Sequence, residues 1–134
     1  MFRIIFGVFI VLHGLVHLLY FGQSARYFEL QPGMIWPDSS WVFSKVLGEG
    51  GSRTLANIFL VWAAVGFVAA GIGIFAGQFW WRPLLAGTAV FSSAIFILFW
   101  DGAVQRPADK GAVGILINLI ILVALFSGYI PSTQ

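Results

Sequence analysis

Apolar residues run almost unbroken over four stretches: about 4–22, 55–76, 81–100 and 112–130. At ~1.5 Å per residue, helices of these lengths reach roughly 26–33 Å, enough to cross the ~30 Å hydrocarbon core of a bilayer. No stretch alternates apolar and polar residues as barrel strands do. Helices, which satisfy their own backbone hydrogen bonds, are therefore the expected form of each run. The pattern predicts an all-α fold: an integral membrane four-helix bundle, with residues 1–134 as one domain. Trp80, Trp81 and Trp100 bracket the third run, where indole rings favour the headgroup level. Pro131 reads as the stop of the fourth.

The connections are unequal. A tight turn near Gly77–Gln78 and a loop over Gly102–Gly111 make runs two to four antiparallel neighbours. The loop over 23–54 is longer and carries turn signals at Pro32–Gly33 and Trp36–Pro37–Asp38. Within it, Ser39 or Ser40 is suited to cap a short interfacial helix over about 40–47, ended by Gly48, Gly50 and Gly51. That helix is expected on the membrane surface or over the mouth of the bundle. Small residues that let helices approach closely are concentrated in the second run, from Ala63 to Gly77, with Gly87, Ser92, Ser93, Gly111 and Gly114 beyond it.

Composition agrees with this pattern. The 134 residues are 60% apolar and 9% charged, with a mean hydropathy of +0.95, whereas a soluble domain carries roughly a quarter charged residues. The net charge of +2 is thin and scattered, which argues against nucleic acid as a partner. There is no cysteine, so disulfide, CxxC and iron–sulfur chemistry are excluded. The first run is longer than a signal-peptide core and is read as a retained span.

The candidate chemistry lies in a few polar residues. His13 and His17, the only histidines, stand one helical turn apart on the stripe Phe6, Ile10, His13, His17, Tyr20. In an antiparallel bundle the first and third loops share one side of the membrane. His17, Asn57, Asp101 and Asn118 all fall toward that side, leaving the other half almost purely apolar. Polar groups in lipid face the interior or a watered cavity. The candidate ligand-binding set is therefore His13, His17, Tyr20, Asn57, Asp101 and Asn118, lining a half-open pocket with its mouth toward those loops. His13 and His17 are expected inside the bundle, with Asn118 near them and Tyr20 closing the outer end. Neutral imidazole donates from one nitrogen and accepts at the other, which suits a quinone carbonyl, a lipid headgroup or a metal ion.

Three readings of the histidines stand side by side. They are structural hydrogen-bonding groups, or part of a lipid or quinone pocket, or ligands of a metal ion or haem. An i, i+4 histidine pair suits one metal ion, but a closed site needs further ligands. Haem held by one helix needs a single axial histidine or a symmetric dimer. Asp101 reads either as a proton carrier or as a solvated partner of Arg106 or Arg53.

The segment Gly7–His17 with its Leu-His-Gly-Leu-Val-His core, the entry Arg53–Asn57, Gly66–Gly73 and Gly114–Leu119 together resemble the DoxX-like group of small four-helix bacterial membrane proteins. The resemblance implies a multi-pass protein of the bacterial cytoplasmic membrane, loosely associated with membrane oxidoreductase systems, and transfers no catalytic residue. The expected function is a non-enzymatic accessory or binding subunit of a membrane complex, holding a lipid or quinone. Membrane lipids and a protein partner or a second copy of the chain are its expected associates. The alternative is an oxidoreductase or isomerase-type enzyme acting on a quinone or lipid through His13 and His17. Orientation stays open: Lys and Arg count favours the side of the first and third loops as cytoplasmic, while the resemblance leans the other way.

Overall fold

The computed structural model describes residues 1–130, and within them the chain forms four α-helices, one 3-10 turn and no strand. The helices are α1 (Phe2–Ser24), α2 (Ser44–Ala76), α3 (Trp81–Leu98) and α4 (Ala112–Phe126), with the 3-10 turn at Pro107–Lys110 before α4. No proline interrupts a helix interior. Pro83 stands in the first turn of α3, where its missing N–H would have had no helical partner. α2 stops at Gly77, whose left-handed backbone (φ 66°) lets the N–H of Gln78 reach Gly73 O at 2.9 Å and its own N–H reach Ile74 O at 3.2 Å. Three helices, α1 to α3, are long and apolar enough to cross a membrane.

Two boundaries differ from the expected ones. The short helix expected over about 40–47 is present in part, as a helical segment over Ser44–Leu47. Residues 39–43 are non-helical, helical structure begins at Ser44, and Gly48 (φ 68°, ψ −177°) breaks the short segment from the long part of α2. Ser40 still acts as a cap, accepting the N–H of Phe43 at 3.0 Å. Gly50 and Gly51 lie inside α2 beyond that break and stay helical. α4 is shorter than expected. It ends at Phe126, 15 residues or about 22 Å, because Gly128 turns the chain at φ 75°. The proposed stop at Pro131 lies outside the described residues.

Successive helices pack antiparallel around two apolar clusters. One, toward the start of α1, joins Ile10, Phe67, Ile74, Trp81, Leu85 and Ile121. The other, toward the end of α1, joins Leu60, Ile95, Phe96 and Phe99 to Met34 and Trp36 of the first loop. That loop therefore folds inward as a cap on the bundle. Gln23 holds it, donating to Met34 O at 2.9 Å and accepting the N–H of Leu30 at 2.9 Å. Asp38 bridges Arg26 and Arg53, and Trp41 donates from its ring to Ile97 O at 2.8 Å. At the opposite end two arginines serve as C-terminal caps. Arg3 of α1 donates to Phe75 O of α2 at 2.7 Å, and Arg82 of α3 donates to Leu125 O and Ile130 O at 2.8 and 2.7 Å.

The α1–α2 seam depends on Gly14, where an added Cβ would stand 2.7 Å from Phe67 Cβ and 3.2 Å from Ala64 O. Gly14→Ala is expected to lower the melting temperature, with a cost of about 1–3 kcal/mol from forced separation of the two helices. Gly87→Ala is the control, because a Cβ there meets nothing within 4 Å, and its melting temperature is expected to hold or rise slightly.

Candidate functional site

His13 and His17 both turn into the bundle, one helical turn apart on α1, and each reaches a different helix. His13 Nε2 lies 2.8 Å from Asn118 Oδ1 on α4. His17 Nε2 lies 2.6 Å from Ser92 Oγ on α3, and its Nδ1 lies 3.0 Å from the carbonyl of His13. Asn118 Nδ2 donates to Ser92 Oγ at 2.9 Å and to Ser93 Oγ at 3.2 Å.

These contacts have one consistent proton assignment with both imidazoles neutral. A carbonyl only accepts, so His17 Nδ1 carries its proton and Nε2 is an acceptor. Ser92 must then donate its hydroxyl proton to His17, leaving its oxygen to accept from Asn118 Nδ2. That fixes the amide orientation, with Asn118 Oδ1 accepting from His13 Nε2–H. A flipped amide would require Ser92 Oγ–H to donate twice. The result is a closed ring: His13 side chain to Asn118, Asn118 to Ser92, Ser92 to His17, and His17 back to the His13 backbone. Ser93 donates separately to Ala89 O at 2.9 Å. Asn118 and Ser92 are fully buried and His17 is 2% exposed. Phe67 packs across both imidazoles, with ring centroids 4.8 and 5.2 Å away, and Phe96 packs on His17 at 5.9 Å.

The six candidate residues are therefore not one site. His13, His17 and Asn118 are brought together. Tyr20 lies one turn farther along α1, stacked edge-on against Phe96 and Trp36, and donates to Ala108 O at 3.3 Å. It closes the outer end of the stripe but stands outside the ring. Asn57 is half-buried on α2, and its Oδ1 has no partner among the described residues. Asp101 sits in the loop between α3 and α4 and pairs with Lys110 at 2.9 Å, rather than with the Arg106 or Arg53 the sequence suggested. For a metal ion, His13 and His17 offer a pair whose Nε2 atoms are directed at different partners. Among the described residues no group of three metal-type side chains forms. Ser92 and Ser93 are the members that sequence reasoning read only as small packing residues. The signal that could have found them is depth: both stand level with Asn118 in an antiparallel α3–α4 pair.

Open space lies away from the ring, in a shallow groove of about 460 Å³ between α2 and α3 lined by Trp62, Gly66, Pro83 and Phe91, and at the loop end. A cleft of about 210 Å³ runs between the first loop and the α3–α4 loop, walled by Met34, Trp36, Phe99, Asp101, Arg106 and Lys110. Beside it an apolar groove of about 320 Å³ lies between the ends of α3 and α4, lined by Phe96, Ile97, Trp100, Val104, Pro107 and Ile115. Ala103 and Lys110 belong to both. Lys110 also donates to Ala103 O at 2.8 Å, so Asp101 and Lys110 clamp the loop. Partial burial raises the Asp101 carboxyl, but the Lys110 hydrogen bond and charge, with the N–H of Ala103, outweigh it and hold the carboxyl below its ordinary value.

Two measurements check this geometry. Asn118→Leu strands a His13 donor and takes away the donor that Ser92 accepts, so it is expected to destabilise by about 1–3 kcal/mol. Combining it with His13→Leu should cost clearly less than the two losses added, as coupled partners do. The Asp101–Lys110 clamp carries a pH dependence of definite sign. A lowered carboxyl contributes stability that is whole above the ordinary carboxylate range and is lost as pH falls through the lowered value. Melting curves of Asp101→Asn should lose that acid-limb component and leave the rest of the pH profile in place.

Comparison of the chain with family models, curated proteins and solved structures finds no match.

Proposed function

We propose that this is a multi-pass protein of the bacterial cytoplasmic membrane that works as a non-enzymatic accessory or binding subunit. Its ligand would be an amphiphile of the lipid or quinone class, held at the end of the bundle formed by the first and third loops. The membrane reading rests on an inverted distribution of polarity. The outward faces of the helices expose Ile4, Leu12, Trp62, Leu119 and Val123, while His17, Ser92 and Asn118 are buried inside. Water would penalise that arrangement and lipid favours it. The resemblance to DoxX-like proteins points the same way.

The observation that carries the binding role is the pairing of an apolar groove with a cleft of mixed lining, which adds Asp101 and Arg106, along one shared wall, Ala103 and Lys110. A molecule with an apolar tail and a polar head matches that division, and pockets of this kind with a few convergent polar groups are where ligands bind. The rival, an oxidoreductase acting through His13 and His17, is less well supported. The ring nitrogens that hold the circuit are engaged with protein partners, and Phe67 and Phe96 pack over the rings.

Purification in mild detergent, followed by mass spectrometry of co-purifying small molecules and proteins, tests the reading. The expected outcome is a retained lipid or quinone in stoichiometric amount together with a larger membrane partner. A partner-free preparation that turns over an added quinone would refute it.

A further inference from the structure

Resting on the amphiphile reading, we propose that the ligand is a glycerolipid recognised by an acyl ester carbonyl, whatever the charge of its headgroup. The ester oxygen meets the hydrogen-bond donors of Trp36 and Lys110 in the cleft, and the acyl chain behind it lies in the groove between α3 and α4.

Two unused donors lead to the carbonyl. Trp36 lines the cleft and is 5% exposed, and its Nε1 has no partner among the described residues. An indole N–H can only donate, and a buried donor left unmade is costly, so the partner it lacks is an acceptor oxygen. That N–H lies just beneath the cleft wall, so its partner is met through the side-chain adjustments that binding commonly brings. Lys110 supplies the second donor. An ammonium has three N–H groups, and two are used, by Asp101 Oδ1 at 2.9 Å and Ala103 O at 2.8 Å. The third is left, on a side chain that lines both the cleft and the groove. What sets Trp36 apart from Trp81, the other buried indole of this kind, is this second donor beside the same cleft.

Charge is not what the cleft reads. Asp101 and Lys110 neutralise each other, and Arg106 is engaged, donating to Pro32 O at 3.4 Å. A neutral acceptor is therefore the complement, which an ester carbonyl supplies and a carboxylate does not.

The chain follows from the groove. Its lining is almost wholly apolar, and it abuts the cleft along Ala103 and Lys110. Phe96 lines the groove and packs on Trp36 with ring centroids 5.5 Å apart, so one ring separates the groove from the donor. In a glycerolipid the ester carbonyl is the first polar group at the end of the chain, which is the order found here. Trp100, whose ring donates to Ala103 O at 2.8 Å, lines the groove as well. Indoles gather at the headgroup level, and ester carbonyls lie just beneath it.

The test uses the full chain in a neutral detergent, read by native mass spectrometry and melting temperature. It is titrated with dioleoyl phosphatidylcholine, with the diether analogue that lacks both carbonyls, and with dioleoyl phosphatidylglycerol. The diester phosphatidylcholine should be retained roughly tenfold more tightly than the diether, the factor carried by one buried hydrogen bond. Phosphatidylglycerol should match the diester phosphatidylcholine. Trp36→Phe keeps an aromatic ring and removes the donor, so it should lose most of the ester preference and still retain the diether. Ala112→Phe narrows the groove with no change of charge and should weaken all three lipids together.

Equal retention of diester and diether, or an unchanged ester preference in Trp36→Phe, would overturn the proposal. Phosphatidylglycerol held well above both phosphatidylcholines would also overturn it, in favour of headgroup charge. Should Trp36→Phe fail to fold, the ester–ether comparison in the unsubstituted chain decides alone. Retention of added decyl-ubiquinone with no ester preference among the lipids would overturn this inference and leave the broader amphiphile reading standing. Retention of no amphiphile at all would remove both.

Discussion

The position of three helices depends on one amide. Asn118 has an acceptor oxygen and two donor hydrogens, and all three are used: the oxygen by His13 of α1, the hydrogens by Ser92 and Ser93 of α3. Because Asn118 is fully buried on α4, any rotation of α1, α3 or α4 that broke one of these bonds would strand a polar group in apolar surroundings. Helices with smooth apolar faces can slide and rotate past one another at little cost. The amide removes that freedom. The fourth helix, α2, is placed differently, by the backbone approach that Gly14 permits against Ala64 and Phe67. Phe67 then closes over the imidazoles, so the glycine seam and the polar ring support each other.

Much of this was legible in the sequence. A period of 3.6 places His13 and His17 on one stripe, and antiparallel connectivity brings Asn118 to the same depth, so the α1–α4 contact follows from spacing alone. Ser92 did not follow. Serine inside an apolar helix serves equally as a small packing residue or a hydrogen-bonding group, and only the rotation of α3 decides between them. The reach of α2 was also hidden. Gly48, Gly50 and Gly51 read as a helix end, yet only Gly48 leaves helical geometry, and the remaining glycines stay helical. The first loop was legible as turns, with a cover over the bundle mouth as one of two placements for its helix, but the entry of Met34 and Trp36 into the core was not, because their contacts with Phe96 and Phe99 are distant in sequence. Asp101 pairs with Lys110 for a similar reason: the 3-10 turn that brings the lysine back has no strong sequence signal.

Charge is divided between the two ends in a way that sharpens the functional reading. All five acids, and five of the seven bases, lie in or near the first and third loops, where they balance. The net charge of +2 therefore belongs to Arg3 and Arg82 at the other end, and both are committed to carbonyls at helix C-termini. Cations there oppose the negative end of the helix dipole and satisfy carbonyls that have no helical partner. The cleft and the groove between α3 and α4 lie at the loop end, while each end holds one buried indole N–H without a partner among the described residues, Trp36 at the loop end and Trp81 at the other.

The closed ring bears on where recognition is proposed. Each of its four bonds uses a donor once and an acceptor once, and such chains strengthen one another in a low dielectric. A ligand carbonyl that took the Ser92 proton would leave His17 Nε2 without its donor, and one that took the His13 proton would leave Asn118 Oδ1 without its own. Every entry into the ring therefore exchanges one hydrogen bond for another and also displaces Phe67 or Phe96, whose packing on the rings would be lost. At the loop end the cleft and groove are already open, so a ligand there would break none of these bonds. Histidines buried in a half-apolar bundle attract attention as chemistry, but here three of their four ring nitrogens are engaged in fixing the helices. The binding role proposed above is therefore assigned to the loops those helices hold in place.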